Sequence, residues 1–349
     1  KLDFEAPLED AYRSMSYANG HGAITHGTIC GRGNGTLDGV SQPDRITVPL
    51  KRAGKRGEGK WEQVDYDQAI QEVADRLNQI KAESGAEAVA SAGGTTRTDD
   101  WARRRFLNQF GTPNGFHNAL LCWIPTFMAE TCVAGWSPFE TDLGAARCLI
   151  LWGMNPGAST LGGMHGYWDL HNAGMKMIVV DPRYSETASK ADLWLPLRPG
   201  SDAALALAML NVIIGEDLYD HEFVEKWTYG FDQLAERVQA IPPAKAAVIC
   251  DVPEDDIIAA ARMYANAKPA SIAWGLAIDQ TVNGAQAGQC ILSLIAITGN
   301  FDVPGGNILQ DIFDGSGDKV VAGLGWKLLP DELKEKVIGL EEYPAYVNM

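Results

Sequence analysis

The run Cys148-Leu-Ile-Leu-Trp-Gly-Met-Asn-Pro156 decides how the rest of the chain reads. Two related stretches follow it, Met177-Ile-Val-Val-Asp-Pro-Arg183 and Ala191-Asp-Leu-Trp-Leu-Pro-Leu-Arg-Pro-Gly-Ser-Asp202. The first two begin as short apolar runs and break off at a turn of Gly, Asn, Asp or Pro. Such runs suit parallel strands buried on both faces. Their turns then fall at the carboxyl ends of the strands, where open α/β sheets take up ligands. Asp181, closing the second run, is placed to accept hydrogen bonds from a ribose or a purine edge. The pattern suits nucleotide handling, yet no G-x-G-x-x-G accompanies it.

Outward from this core the chain alternates strands and helices. Apolar positions at helical spacing predict a helix over 66–84, with Ile70, Val73, Leu77 and Ile80 on one stripe. Further helices are predicted over 99–110, 165–174, 202–214, 221–227, 254–266 and 284–298. Strands are predicted at 88–90, 147–152, 176–180 and 270–274, the last ending at Gly275. Strand–helix alternation gives an α/β class with largely parallel, doubly wound sheets. Residues 1–59 read as irregular and glycine-rich, and residues 314–349 as a polar tail.

The 349 residues are enough for two or three domains, and a hydrophobic fraction of 46% supports a sizeable core. A formal net charge of -16 argues against nucleic acid or an anionic membrane as partner, while leaving room for an anionic cofactor held by local donors. No apolar run reaches the roughly 20 residues of a membrane span. The sequence does not separate a cytoplasmic from a periplasmic setting in a prokaryote. Six cysteines at irregular spacing contain no C-x-x-C pair, which argues against a disulfide framework. Cys148, Cys250 and Cys290 sit in apolar runs and read as core residues.

Several ordered motifs together resemble the molybdopterin oxidoreductases, the dimethyl sulfoxide reductase family, in the N-terminal part of their large catalytic subunit. Cys30-Gly31-Arg32-Gly33 is similar to the family's C-x-[KR]-G, and Pro43-Asp44-Arg45 with Pro49–Gly54 to the stretch after it. Trp61–Ala69, Gly153-Met154-Asn155-Pro156 and Asp181-Pro182-Arg183 with Thr187 and Ala191-Asp192 match successive blocks. Arg198–Asp202 and Leu292–Gly306, ending in P-G-G, match the last two. Each motif is weak alone; their order over residues 30–307 is specific.

The resemblance implies a bis(molybdopterin guanine dinucleotide) cofactor, one molybdenum or tungsten ion and a single protein ligand to it. Cys122, in Leu121-Cys122-Trp123-Ile124-Pro125, is the candidate ligand, a soft thiolate suited to a metal held by dithiolenes. Trp123 and Arg32 are the companion catalytic candidates, Arg32 lying between cluster and pterin. Cys30 is the candidate ligand of a 4Fe-4S cluster. The cofactor-binding set is Gly153, Asn155, Pro156, Asp181, Arg183, Thr187, Gly200, Asp202 and Gly275. The implied domains are 1–59 for part of the cluster region, 60–120 with 265–310 as a second α/β domain, 121–264 as a Rossmann-like dinucleotide-binding domain, and 311–349 as tail or linker.

The three cluster cysteines that the family carries ahead of Cys30 have no counterpart in residues 1–29, and its C-terminal domain has none after about residue 310. Either those cysteines lie upstream of Lys1 or the protein lacks the cluster, and the missing C-terminal domain leads us to expect a fragment of a protein about twice as long. The implied activity is a two-electron or oxygen-atom-transfer reaction on a small molecule, in anaerobic metabolism, with electrons passing through the 4Fe-4S cluster to an iron–sulfur partner subunit. The Cys-x-x-Pro context of Cys122 resembles the branch of acetylene hydratase and the anaerobic hydroxyarene enzymes, which brings in a non-redox hydratase as the alternative. A metal-free scaffold subunit is the third reading.

Plainer readings stand beside these. Cys122 can be a small buried hydrophobe, with Cys132 the runner-up ligand. Asp181 can merely end a strand, Asp202 can be a first-turn carboxylate at a helix start, and Arg183 can be a solvated charge or a pyrophosphate partner. Trp136 and Trp152 read as core, and His117 and His165 as structural or as proton donors.

Overall fold

The computed structural model describes residues 31–94, 100–135, 137–160, 163–309 and 325–342. Cys30 and Trp136 lie outside the described residues. The chain divides into two compact units, residues 35–119 with 313–349 and residues 1–34 with 120–312.

In the first unit, β1 (Leu50–Arg52) pairs antiparallel with β2 (Trp61–Gln63). Helix α1 (Tyr66–Ser84) starts where Asp65 accepts the Asp67 and Gln68 N–H groups, and ends at Gly85, which takes φ 84°. Its predicted bounds hold, but no residue of α1 is buried, and Ile70 and Val73 stay exposed. The strand predicted at 88–90 falls three residues later, as β3 (Ser91–Gly93), because Ala86–Ala88 form a 3-10 turn. After α2 (Asp100–Phe110), β4 (Gly115–His117) runs parallel to β3. The join is held by Thr112, whose hydroxyl donates to the Val89 carbonyl at 2.6 Å. The described part of the expected polar tail contributes Leu329, which is buried.

The second unit carries the doubly wound sheet. It begins with α3 (Ile124–Ala134) and the short strand β5 (Phe139–Thr141). Strand β6 (Cys148–Trp152) is buried at all five positions, and helix α4 (Met164–Asn172) leads to β7 (Lys176–Val180) and then β8 (Leu193–Leu195). Helices α5 (Asp202–Gly215), α6 (His221–Trp227), α7 (Phe231–Val238), α8 (Pro243–Cys250) and α9 (Glu254–Asn266) follow. Strand β9 (Ala270–Trp274), α10 (Gly284–Ile297) and β10 (Asn307–Leu309) complete the unit.

The sheet order is β8-β7-β6-β9, all parallel. Alternation along the strands sends their side chains to opposite faces. Ile150, Ile178 and Ile272 join α5, α9 and α10 in one core, while Leu149, Met177 and Val179 join Met164 and Tyr167 of α4 in the other. Helix α5 is apolar nearly all round because it packs on the sheet and is walled in by α8, α9 and α10. Cys148 is fully buried and its thiol is pushed up to about 12 by desolvation, so it behaves as core. Cys250 is buried and Cys290 partly so.

The structure departs from the sequence reading at residues 265–310, there grouped with 60–120. Strand β9 instead pairs with β6 along Cys148–Trp152, and Ile272 fills the same core as Ile150. Sequence distance hid this, because more than a hundred residues lie between the end of β6 and the start of β9.

The outer edge of β9 is closed by side chains rather than by another strand. Asn307 accepts the Ile272 N–H with its Oδ1 at 3.0 Å and donates its Nδ2 to the Ile272 carbonyl at 2.9 Å. Asn300 Oδ1 accepts the Ala270 N–H at 2.9 Å, and the Ser271 hydroxyl donates to the carbonyls of Gly305 and Gly306. Asn307→Ala would strand a buried donor and a buried acceptor together. We expect a loss of about 2–4 kcal/mol, measured by urea denaturation. A loss below about 0.5 kcal/mol would mean that water replaces both bonds.

Candidate functional site

The strand order places a reversal between β6 and β9: from β6 the chain steps to β7 and β8 on one side, then returns to the other side as β9. In such sheets the crevice beyond the carboxyl ends at the reversal is the ligand site. Two glycines lie there. Gly153 takes φ 59°, and a Cβ on it would meet Ala277 Cβ at 2.9 Å. A Cβ on Gly275 would fall 2.4 Å from the Gly153 carbonyl oxygen. The two turns therefore touch backbone to backbone, with the Gly275 N–H donating to the Trp152 carbonyl and the Gly153 N–H to that of Val180.

The Asn155 turn is tied to the segment after β7. Thr187 donates its hydroxyl to Asn155 Oδ1 at 2.5 Å and accepts the Gly157 N–H at 3.1 Å. Asn155 Nδ2 donates to Glu186 Oε2 at 3.1 Å, and Pro156 opens a short helix, Pro156–Ser159. Thr187 is buried, so the sequence candidates Asn155 and Thr187 hold each other's backbone in place.

Asp181 sits at the end of β7. One carboxylate oxygen accepts the Arg183 N–H at 2.8 Å, forming a local turn, and its carbonyl accepts the Trp194 indole N–H. Its other carboxylate oxygen has no partner among the described residues. Arg183 is exposed and lies 3.4 Å from Glu186.

Asp202 points the other way. It accepts the Trp152 indole N–H at 2.9 Å and is buried with it. Burial pushes its carboxyl above the ordinary aspartate range, against the pull of Trp152 and of backbone N–H groups at Asp202 and Gly200. Its side chain thus locks the last residue of β6 to the first turn of α5. Gly200, two residues earlier, takes φ 84° with open space around it.

Cys122 precedes α3 and is half-buried, with Trp123 beside it exposed and packed on Phe127 at 5.0 Å between ring centroids. The first turn of α3 is fastened to the end of β9. Asp279 Oδ1 accepts the Thr126 N–H at 2.8 Å, and the Trp274 indole N–H donates to Thr126 Oγ1 at 2.9 Å. The Cys122 segment therefore lies next to an element anchored where Gly275 ends the sheet. Cys132 lies exposed further along α3. Arg32 lies in the short helix Gly31–Asn34 with its side chain exposed, and His165 is exposed on α4.

Sequence reading overlooked four site residues: Thr126, Trp274, Asp279 and Asn283. Asn283 Oδ1, in the loop between β9 and α10, is buried without a hydrogen-bond partner. No local motif marks them; Thr126, Trp274 and Asp279 matter through contacts distant in sequence. Among the described residues, no group of three or more His, Cys, Asp or Glu side chains could hold a metal ion. No described helix is long and apolar enough to cross a membrane.

The family model for molybdopterin oxidoreductases matches residues 45–340. The chain belongs to this family. As a molybdopterin oxidoreductase it is similar to acetylene hydratase of Syntrophotalea acetylenica, 36% identical over all of this chain and 48% of the relative. It is also 36% identical to the molybdopterin-containing subunit of thiosulfate reductase from Salmonella typhimurium, over 80% of the chain and 37% of that protein. Dimethyl sulfoxide reductase DmsA of Escherichia coli is 32% identical over 80% of the chain and 39% of its own length. The solved structure of acetylene hydratase from Pelobacter acetylenicus superposes with a TM-score of 0.76 at 36% identity, over 90% of this chain and 44% of the other. The chain thus spans about half, or less, of these relatives. The likeness confirms the α/β class and the resemblance drawn from the motifs, including the acetylene hydratase branch.

The Asp202 environment yields a pH test. The folded state holds this proton more tightly than the unfolded chain. Wild-type stability therefore falls as pH rises from the ordinary value of 3.8 through the raised folded value. Asp202→Asn removes that loss and keeps an acceptor for Trp152. Denaturation from about pH 3 to about pH 7 should show the variant gaining steadily on the wild type. A constant difference would mean that the Asp202 proton does not distinguish the two states.

Proposed function

We propose that this chain is the cofactor-binding part of a molybdenum- or tungsten-dependent oxidoreductase that carries a bis(molybdopterin guanine dinucleotide). The observation that carries the reading is Cys122, half-buried beside a helix anchored at the strand-order reversal. The donor set suits such a group. Asp181 offers an unpartnered carboxylate oxygen to the N–H edge of a guanine, and Arg183 offers an exposed guanidinium to a pyrophosphate. Asn283 Oδ1 is a buried acceptor still lacking a donor, and pterins and guanines present N–H donors. Gly153 and Gly275 let backbone come close at the crevice floor, and Asn155, Pro156 and Thr187 hold its rim. Gly200 and Asp202 shape the start of α5, Asp202 from within.

When bound, the group would supply two-electron chemistry at the metal, including oxygen-atom transfer. The chain's own residues would bind, orient and shield. Cys122 would contribute the one protein thiolate, and the Trp123 indole would limit water beside it. Arg32 and Cys30 would belong to the path of a 4Fe-4S cluster leading to an iron–sulfur partner subunit. The substrate is a small molecule.

A second reading has its own support. The likeness to acetylene hydratase runs over the whole chain. A non-redox hydratase would use the metal as a Lewis acid on water, with no external electron acceptor. Turnover of the full-length protein with and without an artificial acceptor separates the two: strict dependence on the acceptor supports the oxidoreductase, and independence supports the hydratase.

Elemental analysis of the natively matured full-length protein should find about one Mo or W per chain, and about four Fe if the cluster is present. Neither Mo nor W would leave the scaffold reading. Cys122→Ala should lower metal content or turnover at least about tenfold while the fold persists. Full activity with an unchanged metal spectrum would remove Cys122 from the site.

A further inference from the structure

Helix α3 is held at two levels. Midway, Ala129 packs against Gly288 of α10 so closely that a Cβ on Gly288 would meet the Ala129 Cβ at 2.8 Å. At its start the local sequence provides no cap. Trp123 occupies the capping position and makes no side-chain hydrogen bond, although the first-turn N–H groups need partners. The missing acceptor comes from 153 residues away: Asp279 Oδ1 accepts the Thr126 N–H at 2.8 Å. Asp279 is 3% exposed and ends the short helix Leu276–Asp279, which follows Gly275 directly. The Trp274 indole donates to Thr126 Oγ1 on the same turn, so both flanks of Gly275 grip the first turn of α3.

We infer that Asp279 is a positioning residue for Cys122: its bond to the Thr126 N–H fixes where the Cys122 thiol stands relative to the strand-end crevice. The inference rests on the reading of Cys122 as the metal ligand. Ordinary helix capping would need only a Ser, Thr, Asp or Asn at position 123. Supplying the cap from the β9 turn makes the direction of the Cys122 segment depend on the sheet that forms the crevice. A buried carboxylate is costly where a local cap would serve. Burial does raise the Asp279 carboxyl above its ordinary range, opposed by its bonds to Thr126. Glu130, two turns from the start of α3 and bonded to the Ser137 hydroxyl, is raised by burial and by the charge of Asp279.

The test uses the full-length protein in two forms. In metal-free protein, hydrogen exchange at the Thr126 amide should accelerate at least tenfold in Asp279→Ala. It should stay near wild type in Asp279→Asn, whose amide oxygen can still accept. In metal-loaded protein, X-ray absorption at the metal edge should show a weakened or lengthened thiolate contribution in Asp279→Ala, with metal content retained, and recovery in Asp279→Asn. Asp279→Ser, too short to reach Thr126, replaces the alanine variant if that does not fold. Faster exchange with an unchanged sulfur contribution would overturn the inference, since Asp279 would then only staple the helix. An asparagine variant no better than alanine would overturn it too. Cys122→Ser tells the two failures apart. No spectral change in that variant sinks the ligand reading and this inference with it. A change there without one in Asp279→Ala sinks this inference alone.

Discussion

The contact between the Gly153 and Gly275 turns governs the second unit. Strand β6 is central and fully buried, so its chain must leave the sheet within a residue or two of Trp152. Strand β9 ends in register beside it, Trp152 opposite Trp274. Two chains turning at the same level collide unless both lack side chains there. Their closeness sets the floor of the crevice and brings the short helix Leu276–Asp279 over to α3. The segments bearing Asn155, Cys122 and Asn283 take their places from that one meeting of backbones.

The residues of the family motifs turn out to hold the structure together more than they reach outward. Asn155 and Thr187 bond to each other. Asp202 bonds to Trp152. Asp192, from the Ala-Asp pair, ties the starts of β7 and β8 together by accepting the Met177 N–H, Lys176 Nζ and a His171 ring nitrogen contact. Burial pushes the Asp192 carboxyl up, but these three partners outweigh it and hold it below its usual range. Asparagine 307, just past the P-G-G block, closes the edge of β9. Asp181 keeps a carboxylate oxygen without a partner among the described residues, and Arg183 stays exposed.

The sheet was legible where apolar runs were continuous and ended in turn residues: β6, β7 and β9 fall where the pattern puts them, as do α1, α5, α9 and α10. The signal was local and strong. What escaped was whatever depends on partners far along the chain. Helices α7 and α8 were passed over, although Phe231, Leu234 and Val238 of α7 recur at helical spacing. The placement of β9 beside β6 rests on long-range pairing that no local pattern encodes. At the candidate site, motifs marked the turns, while the cap from Asp279 and the orphaned acceptor of Asn283 had no signature: aspartate or asparagine in a polar loop reads as a turn residue. The exposed stripe of α1 is the converse case, a clear pattern whose burial partner does not appear among the described residues.

The side-chain closure of β9 bears on how this protein keeps company with copies of itself. An open strand edge is a template: its unpaired N–H and C=O groups can recruit a strand from another molecule. Along the first three residues of β9 that template has been used up internally, by two asparagine amides imitating a neighbouring strand. The opposite edge, β8, is only three residues long and runs straight into Pro196. Neither flank offers the length of free backbone that edge-to-edge assembly requires, so the most hydrophobic layer of the molecule is also one that resists aggregation.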